Sequence, residues 1–236
     1  MATASSLVLI TTATKPPEGV HKLEMSNVAK RTLTAKAAVF FWAGFGIKKI
    51  VIADATGQTL LDEAEVQLLQ QMDVEVEQIH YRQNDALIIQ KGKGYGEGAL
   101  INFALQNSIF LQSASHFFKC TGKVYCRNFM EIFNLVQQTK AQNIFWREVF
   151  THTIDTRFFY VSKDFAQNLL IPAYEHVDDI NQMPSEVCVM KLAQERLTPV
   201  TSLRPMLAGF SGSLNKPYLD VSMGYLDQNL PCWVSQ

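Results

Sequence analysis

The stretch KKIVIAD at residues 48–54 decides the predicted fold, because four apolar residues in a row end at an acidic one. Such a short apolar run is typical of a strand that is buried on both faces of a parallel sheet. The stretch SLVLITTA at residues 6–13 has the same character. Between the two, the segment from Ser26 to about Phe45 favours a helix, which Ser26 or Asn27 can cap and Gly44 can end.

The alternation of strand and helix continues toward residue 140. We predict helices at 60–72, 99–111 and 128–140, and strands at 74–81 and 115–120. Further along, we predict strands at 143–150 and 154–161, helices at 163–174 and 185–197, and a C-terminal extension of strands and loops. This order favours an α/β fold of Rossmann-like character, with a mostly parallel central sheet and helices on both faces. With no repeat or low-complexity linker, residues 1–236 are expected to form a single domain.

The composition excludes several classes of protein. The 236 residues are 47% hydrophobic and 18% charged, with a formal net charge of -1, so the chain is neither disordered nor generally attracted to nucleic acid. The four cysteines, at 120, 126, 188 and 232, have no zinc-ligand spacing. Because the N-terminus also lacks a basic region typical of a secretion signal, we expect free thiols and a cytoplasmic location.

The longest apolar run is AAVFFWAGFGI at residues 37–47. It is too short to span a bilayer, which takes about 20 residues, and the simplest prediction is a buried helix end. Lysines flank its aromatic rings, which also suits a helix docked at a membrane surface. Peripheral association with the inner face of the cell membrane therefore stays as an alternative.

The stretch KGKGYGEG at residues 91–98 has four glycines at alternate positions. Glycines let the backbone approach a ligand closely, and the N-terminus of a following helix suits a phosphate. We therefore predict a phosphate-binding turn at Lys91, Lys93 and Gly94, with a flexible solvent loop as the alternative. The pattern is neither a dinucleotide fingerprint nor a P-loop.

The stretch FFKCTGKVY at residues 117–125 is the second candidate. A strand here brings Lys119 and Thr121 to the carboxyl edge of the sheet, where ligands of such folds bind. Gly122 turns the chain and Lys123 follows. The same edge is expected to hold the ends of the first two strands, Thr12 and Asp54, although Lys119 on an edge strand reaching into solvent is an alternative.

Two later segments have weaker patterns. Asp155 and Arg157 lie two apart on a predicted strand, so they point the same way and either pair or hold a polar substrate. Arg204 and the turn GFSGS at residues 209–213, with Ser211 and Gly212, suit a phosphate or form a plain turn. The five histidines have no metal-ligand spacing, and no GxSxG motif is present.

Together these segments resemble bacterial glycosyltransferases of the nucleotide-diphospho-sugar transferase type, which have a GT-A-like fold and act in surface-polysaccharide assembly, including capsule and lipopolysaccharide. The segments are IVIAD (50–54), GKGYGE (92–97), FKCTGK (118–123), DTRFF (155–159) and GFSG (209–212). The resemblance implies transfer of a sugar from a nucleotide-sugar donor, bound by the 1–140 half, to a glycan or lipid-linked acceptor on the 141–236 half. A sugar nucleotidyltransferase of related fold and a non-catalytic binding or assembly protein are the alternatives.

The resemblance also implies roles for particular residues. Thr12 and Asp54 would lie near the base and ribose, and the 93–97 segment with Lys119 near the diphosphate or sugar. The Asp-x-Asp that many such enzymes use to hold a divalent metal is missing where expected, so no metal ligand is assigned, and Mg²⁺ or Mn²⁺ stays an open alternative. Positive side chains would then stabilise the leaving group. For the base that deprotonates the acceptor hydroxyl, Asp155 is the first candidate, followed by Glu97 and Glu186.

Overall fold

The computed structural model describes residues 6–21, 23–147, 153–212, 215–219 and 229–235. Its strands are β1 (Leu7–Thr12), β2 (Lys49–Asp54), β3 (Glu75–His80), β4 (His116–Thr121), β5 (Val124–Cys126), β6 (Asn143–Arg147), β7 (Ile154–Ser162), β8 (Thr198–Leu203), β9 (Leu207–Phe210), β10 (Pro217–Leu219) and β11 (Asn229–Ser235). Its helices are α1 (Val28–Gly44), α2 (Glu63–Gln71), α3 (Asp85–Lys91), α4 (Lys93–Asn107), α5 (Ile109–Ser113), α6 (Phe129–Thr139), α7 (Lys163–Phe165), α8 (Ile171–Glu175) and α9 (Ser185–Arg196), with a π-helical turn (Ala166–Leu170) joining α7 to α8.

Eight strands form the central sheet, in the order β3-β2-β1-β4-β7-β6-β11-β8. The first four of these pair in parallel, and every later pairing is antiparallel. Because strand direction alternates from β4 to β8 in this order, six of the eight strands run in one direction and β7 and β11 run in the other. The sheet is therefore mostly parallel in direction. The predicted α/β fold is confirmed. A small antiparallel sheet, β10-β9-β5, lies beside it.

The central strands bury both faces, because successive side chains of a strand point to opposite sides. In β1, Leu7 and Leu9 pack in a core with residues of α4, α5, α8 and α9. Val8 and Ile10 pack in the opposite core, with residues of α1, α2 and α6. Helices therefore cover both faces of the sheet, as the sequence predicts.

The first helix follows its sequence signals closely. The side chain of Asn27 caps α1 by accepting a hydrogen bond from the Lys30 N–H at 2.8 Å. The apolar run at residues 37–47 contains the C-terminal half of this helix, and Trp42 within it is fully buried. Phe41 is 48% exposed and stacks on Tyr125, with ring centroids 4.3 Å apart. None of the helices in the described ranges has the length and apolar character needed to cross a bilayer.

The glycine-rich stretch is helical, so the predicted turn and the predicted helix start at residue 99 are wrong. Helix α4 begins at Lys93, and Gly92 alone separates it from α3. A Cβ added to Gly98 would lie 2.4 Å from the Cβ of Tyr174, and one added to Gly96 would lie 2.7 Å from the Ile88 side chain. The glycines therefore let α4 pack closely on α8 and α3.

Gly98→Ala tests this packing. We expect it to lower the free energy of unfolding by about 1–3 kcal/mol, because overpacking at Tyr174 outweighs the higher helix propensity of alanine. Urea denaturation measures the change, and Gly44→Ala is the control because no atom lies within 4 Å of its added Cβ. Equal stability of Gly98→Ala and the unmodified protein would contradict a close contact between α4 and α8.

After residue 143, the helices and strands are of the predicted type, but their bounds differ from the predicted ones. Of the predicted 143–150 strand, the structure describes β6 up to Arg147, and residues 148–152 lie outside the described ranges. The predicted 163–174 helix contains the π-helical turn. The C-terminal extension folds back on the body, and β11 pairs between β6 and β8 in the central sheet. Ser213 of the GFSGS turn is also outside the described ranges.

Candidate active site

A cavity of about 800 Å³ opens at the carboxyl ends of β1 and β4. Its volume is in the range of about 300–1,000 Å³ that is usual for small-molecule sites, and its position is the one expected for ligands of open α/β sheets. The end of β1, the first turns of α4 and α9, and the β4–β5 connection form its polar wall. Its apolar lining includes Pro16, Val20 and Leu23, from the loop between β1 and α1.

Glu97 and Lys119 form a buried ion pair at the base of the cavity. The Lys119 side chain has no exposed surface, and its Nζ lies 2.6 Å from Glu97 Oε1. Nζ also donates to Thr121 Oγ1 at 3.0 Å and to the Thr156 carbonyl at 2.8 Å. All three donors of this ammonium are therefore used inside the protein, which differs from the expected contact between Lys119 and a diphosphate.

The same network fixes one oxygen of Glu97. Besides the lysine, the hydroxyls of Thr11 and Thr121 donate to Oε1 at 2.9 and 3.1 Å. The other oxygen, Oε2, accepts no hydrogen bond from any residue in the described part of the chain. Because Glu97 lines the cavity, Oε2 is available to accept a hydrogen bond from a ligand hydroxyl.

The β4–β5 connection presents Lys123 to the cavity. Gly122 turns beside β1: its N–H donates to the Thr11 carbonyl at 2.6 Å, and an added Cβ would lie 2.7 Å from that oxygen. Lys123 follows with a φ of 84°, a left-handed conformation that costs a non-glycine residue about 1–2 kcal/mol. The Phe210 N–H donates to its carbonyl at 2.8 Å and holds it there.

Lys123 lies among several charges. Only 6% of its surface is exposed, and its pKa is lowered from 10.5 to about 7, first by burial and next by the positive charge of Arg31. Lys93 lowers this pKa further, whereas the negative charges of Glu97 and Asp54 raise it.

Arg31 of α1 is the second buried cation. Its Nε donates to the Ala13 carbonyl at 2.6 Å and its Nη1 to the Met25 carbonyl at 2.9 Å. Burial lowers its pKa to about 10, against the attraction of Asp54. Sequence reasoning missed this residue. Its position in the helix could have indicated it, because Arg31 lies on the buried face of α1 together with Ala35, Ala38 and Trp42.

The candidate bases differ in their surroundings. Asp155 is held by Arg157, whose Nε donates to Oδ1 at 2.8 Å and whose Nη2 donates to Oδ2 at 2.7 Å. Glu186 is in the first turn of α9 and lines the cavity. Within the described ranges, its oxygens accept hydrogen bonds from two hydroxyls, those of Thr156 at 3.3 Å and Ser185 at 3.2 Å.

Two of the predicted donor contacts have other partners. Asp54 is buried, and its carboxylate accepts from the backbone N–H groups of Thr14 at 3.0 Å and Thr56 at 2.7 Å, so it shapes the turn after β2. At the start of α4, the Gly94 N–H donates to Asp179 Oδ2 at 2.9 Å. A carboxylate of the chain itself therefore lies where a phosphate was expected.

The cavity brings together a part of the predicted site. The predicted residues that line it are Thr12, Lys93, Gly94, Glu97, Thr121, Lys123, Arg157, Glu186 and Gly212. Those that do not line it are Asp54, Lys91, Lys119, Gly122, Asp155, Arg204 and Ser211. Arg31, His21, Asp179 and Ser185 line it without having been predicted.

The residues at this edge do not fit a carboxylate-held divalent metal. Across the described ranges, no three or more His, Cys, Asp or Glu side chains are grouped as metal ligands would be. Mg²⁺ prefers oxygen ligands in near-octahedral geometry. Of the lining carboxylates, Glu97 is paired with Lys119, Asp179 accepts from the α4 backbone, and Glu186 accepts from the hydroxyls of Thr156 and Ser185.

No protein-family model matches the chain, and no curated protein matches it. Among solved structures, it is similar to a proposed nucleotide-diphospho-sugar transferase from Desulfovibrio desulfuricans G20, with a TM-score of 0.46, 11% identity, and 82% of this chain and 78% of that chain covered. It is also similar to mouse xyloside xylosyltransferase 1 in its apo form, with a TM-score of 0.45, 12% identity, and 81% and 82% covered. At these scores the likeness carries no argument about activity.

Proposed function

We propose that this chain is a glycosyltransferase that moves a sugar from a nucleotide-sugar donor to a glycan or lipid-linked acceptor. The observation that carries the proposal is the joint presence, in one cavity at the strand ends, of the buried cations Lys123 and Arg31 and of the carboxylates of Glu97 and Glu186. A nucleotide sugar offers a diphosphate to cations and hydroxyls to carboxylates. The resemblance of the sequence to nucleotide-diphospho-sugar transferases points to the same chemistry.

The lining divides into regions that suit the parts of such a donor. The apolar loop residues Pro16, Val20 and Leu23, with Thr12 beside them, suit a nucleoside. The buried cation Arg31 lies next to this loop, because it donates to the carbonyl of Ala13, the residue that follows Thr12. Glu97 is fixed by hydrogen bonds to its Oε1, so Oε2 can accept a hydrogen bond from a sugar hydroxyl.

Glu186 is the base that we propose in place of Asp155. Both oxygens of Asp155 are bonded to Arg157, and Asp155 does not line the cavity. In an inverting transfer, Glu186 takes the proton of the acceptor hydroxyl while the acceptor oxygen forms a bond to the anomeric carbon. The bond from that carbon to the diphosphate breaks, and its electron pair leaves with the phosphate oxygen.

Turnover of labelled UDP-, GDP- and CMP-sugars tests the activity. Transfer to an added glycan, or slow hydrolysis without one, is expected with at least one donor of the panel. Release of pyrophosphate from a nucleoside triphosphate and a sugar phosphate would instead show a sugar nucleotidyltransferase. If no nucleotide sugar binds or reacts, the protein is not a glycosyltransferase, and a binding or assembly role takes its place.

By the sequence resemblance, we propose that the acceptor belongs to a bacterial surface polysaccharide, such as capsule or lipopolysaccharide. Deleting the gene is then expected to shorten or remove that polymer, which gel analysis of the extracted glycan measures. An unchanged polymer in the deletion strain would contradict this role and leave the transferase activity to be judged by the donor panel.

Glu186→Gln is expected to lower kcat by about 100-fold or more, because general-base catalysis contributes roughly 10²–10⁴ in rate. Donor KM should change little, since the amide keeps the size of the side chain. Steady-state kinetics with the best donor of the panel measures both. Glu195→Gln is the matched control, on the exposed face of the same helix. Equal kcat in the two variants would remove Glu186 from the mechanism.

A further inference from the structure

We propose that Lys123 and Arg31 form a phosphate subsite, in which the two side chains bind a phosphate group of the ligand directly. The inference rests on the proposed function for the identity of the ligand, a nucleoside diphosphate carrying a sugar. It places the phosphate contact on α1 and the β4–β5 connection. The glycine-rich segment at residues 91–98, where the sequence suggested a phosphate, does not supply it.

The first reason is that Lys123 is buried and its ammonium has no hydrogen-bond acceptor among the described residues. Its side chain lines the cavity with 6% of the residue exposed, and its ammonium donates no hydrogen bond to any residue of the described ranges. Buried charged groups are normally paired, because taking an ion out of water costs several kcal/mol. Lys119, on the preceding strand β4, has the usual arrangement, with three acceptors around its ammonium. An anion in the cavity would give Lys123 the partner that it lacks.

Arg31 supplies the second reason. Its Nε and Nη1 are fixed by backbone carbonyls, but its Nη2 donates to none of the described residues. A guanidinium held in this way presents its remaining N–H groups in a fixed direction, and Arg is the usual side chain for phosphate recognition. The site is therefore preorganised on the arginine side.

The two cations lie against the same small residue. A Cβ added to Gly212 would lie 3.4 Å from Lys123 Cε and 3.6 Å from Arg31 Nη1. The Met25 N–H donates to the Gly212 carbonyl at 3.1 Å, which fixes the 210–212 segment over the cations. A phosphate that reaches both side chains therefore lies beside Gly212, one of the residues that the sequence marked for phosphate binding.

The charges around Lys123 determine how the subsite responds to pH. The groups facing it are Arg31 on α1, Lys93 and Glu97 on α4, and Asp54 on β2. Burial and the two cations lower its pKa to about 7, so Lys123 of the free protein loses its proton at a much lower pH than an ordinary lysine. A bound phosphate favours the charged form, so binding takes up a proton. Affinity should therefore fall as pH rises above about 7.

The subsite also has a chemical consequence for the proposed transfer. When the bond between the anomeric carbon and the diphosphate breaks, negative charge develops on the leaving phosphate oxygen. Two fixed cations at that oxygen stabilise the charge without rearranging. A protonated Lys123 can in addition donate a hydrogen bond to the departing oxygen. When the product diphosphate leaves, Lys123 releases the proton that it took up on binding.

Calorimetric titration with inorganic pyrophosphate in the presence of EDTA tests the subsite. We compare the unmodified protein with Lys123→Met at about pH 6 and about pH 9, since the titration of pyrophosphate itself cancels in the ratio of the two Kd values. We expect Lys123→Met to weaken binding at least tenfold at the lower pH and only slightly at the higher pH. Lys191→Met, on the exposed face of α9, is the matched control and should bind as the unmodified protein does.

The outcomes separate this inference from the proposed function. Equal binding by Lys123→Met and the unmodified protein, or a ratio that does not change with pH, would overturn the subsite even if nucleotide sugars are turned over. Lys123-dependent binding without any turnover of nucleotide sugars would uphold the subsite and refute glycosyl transfer. Lys123→Gln is a second variant that lacks the charge, and it should weaken pyrophosphate binding in the same way. Cooperative thermal unfolding of each variant shows that it is folded.

Discussion

Lys119→Met is expected to lower the free energy of unfolding by about 3 kcal/mol, because it removes one partner of a buried ion pair and leaves the other charge unpaired. The Lys119 side chain is fully buried, and that of Glu97 is 19% exposed. Since Glu97 keeps some contact with the cavity, we expect the lower end of the range of about 3–5 kcal/mol that such losses cost. The Thr156 carbonyl also loses its lysine donor. Urea denaturation with an unchanged m-value measures the effect.

A double-mutant cycle shows whether the loss comes from the pair. Glu97→Gln in the Lys119→Met background removes the unpaired carboxylate, while the amide oxygen can still accept from Thr11 and Thr121. We expect the double variant to be more stable than the sum of the single losses predicts, by about 1–3 kcal/mol. Simple additivity would mean that the ion pair contributes nothing to the fold.

An exposed pair provides the control for this cycle. Lys48 forms a salt bridge with Asp73, and the two side chains are 55% and 87% exposed. Lys48→Met should therefore cost less than about 1 kcal/mol, because solvent and salt screen such pairs. A loss at Lys48 as large as that at Lys119 would show that burial does not set the strength of these interactions.

The sequence predicts the sheet well because each central strand has a local signal. The run IVIA before Asp54 and the run LVLITT before Ala13 are apolar on both faces, and both form strands buried by helices on either side. The start of α1 is predicted well, because the side chain of Asn27 caps it. Helix α2 begins at Glu63, three residues after the predicted start, behind a capping box of Asp62 and Glu65 that was not predicted.

The start of helix α4 at Lys93 could not be predicted, because the local and tertiary signals disagree. Glycine has low helix propensity, so four glycines at alternate positions favour a turn. In the fold, Gly98 is pressed against Tyr174 and Gly96 against Ile88. Tyr174 is far away in the sequence, so a single sequence cannot show that a larger residue at 98 would collide with it.

For the active site, sequence reasoning found the edge of the sheet but not the partners. Glu97, Lys119 and Lys123 were predicted at one edge of the sheet, with both lysines in contact with the ligand. The structure separates them: Lys119 is bonded to Glu97 and to Thr121, whereas Lys123 has no acceptor in the described ranges. Two lysines four residues apart differ in this way because the strand buries one and the turn after Gly122 carries the other to the cavity.

Lys123→Met is expected to stabilise the ligand-free protein by several kcal/mol near neutral pH, the opposite of the effect at Lys119. A lysine whose pKa falls from 10.5 to about 7 on folding opposes folding, at roughly 1.4 kcal/mol for each pKa unit. Methionine fills similar space without a charge. It leaves the left-handed backbone at this position as it is, so the change reports mainly on the charge.

The dependence on pH has a definite sign. Between about pH 7 and 10.5 the unfolded chain holds a proton on Lys123 that the folded protein has lost, so the stability of the unmodified protein rises with pH over this window. The advantage of Lys123→Met should therefore be largest below about pH 7 and shrink toward pH 10.5. Urea denaturation of both proteins across this range measures the difference, in which the contributions of all other groups cancel.

Pyrophosphate should narrow the difference between the two proteins near neutral pH. At about 100 times its Kd for the unmodified protein, a ligand that binds only the folded state stabilises by about 2.7 kcal/mol, and Lys123→Met, which binds it more weakly, should gain less. A stability difference that stays constant from pH 7 to 10.5 would mean that Lys123 keeps its charge in the fold. An equal gain of both proteins from pyrophosphate would place the anion elsewhere. Because a buried lysine without an acceptor weakens the fold, its presence is best explained by a ligand that pairs with it.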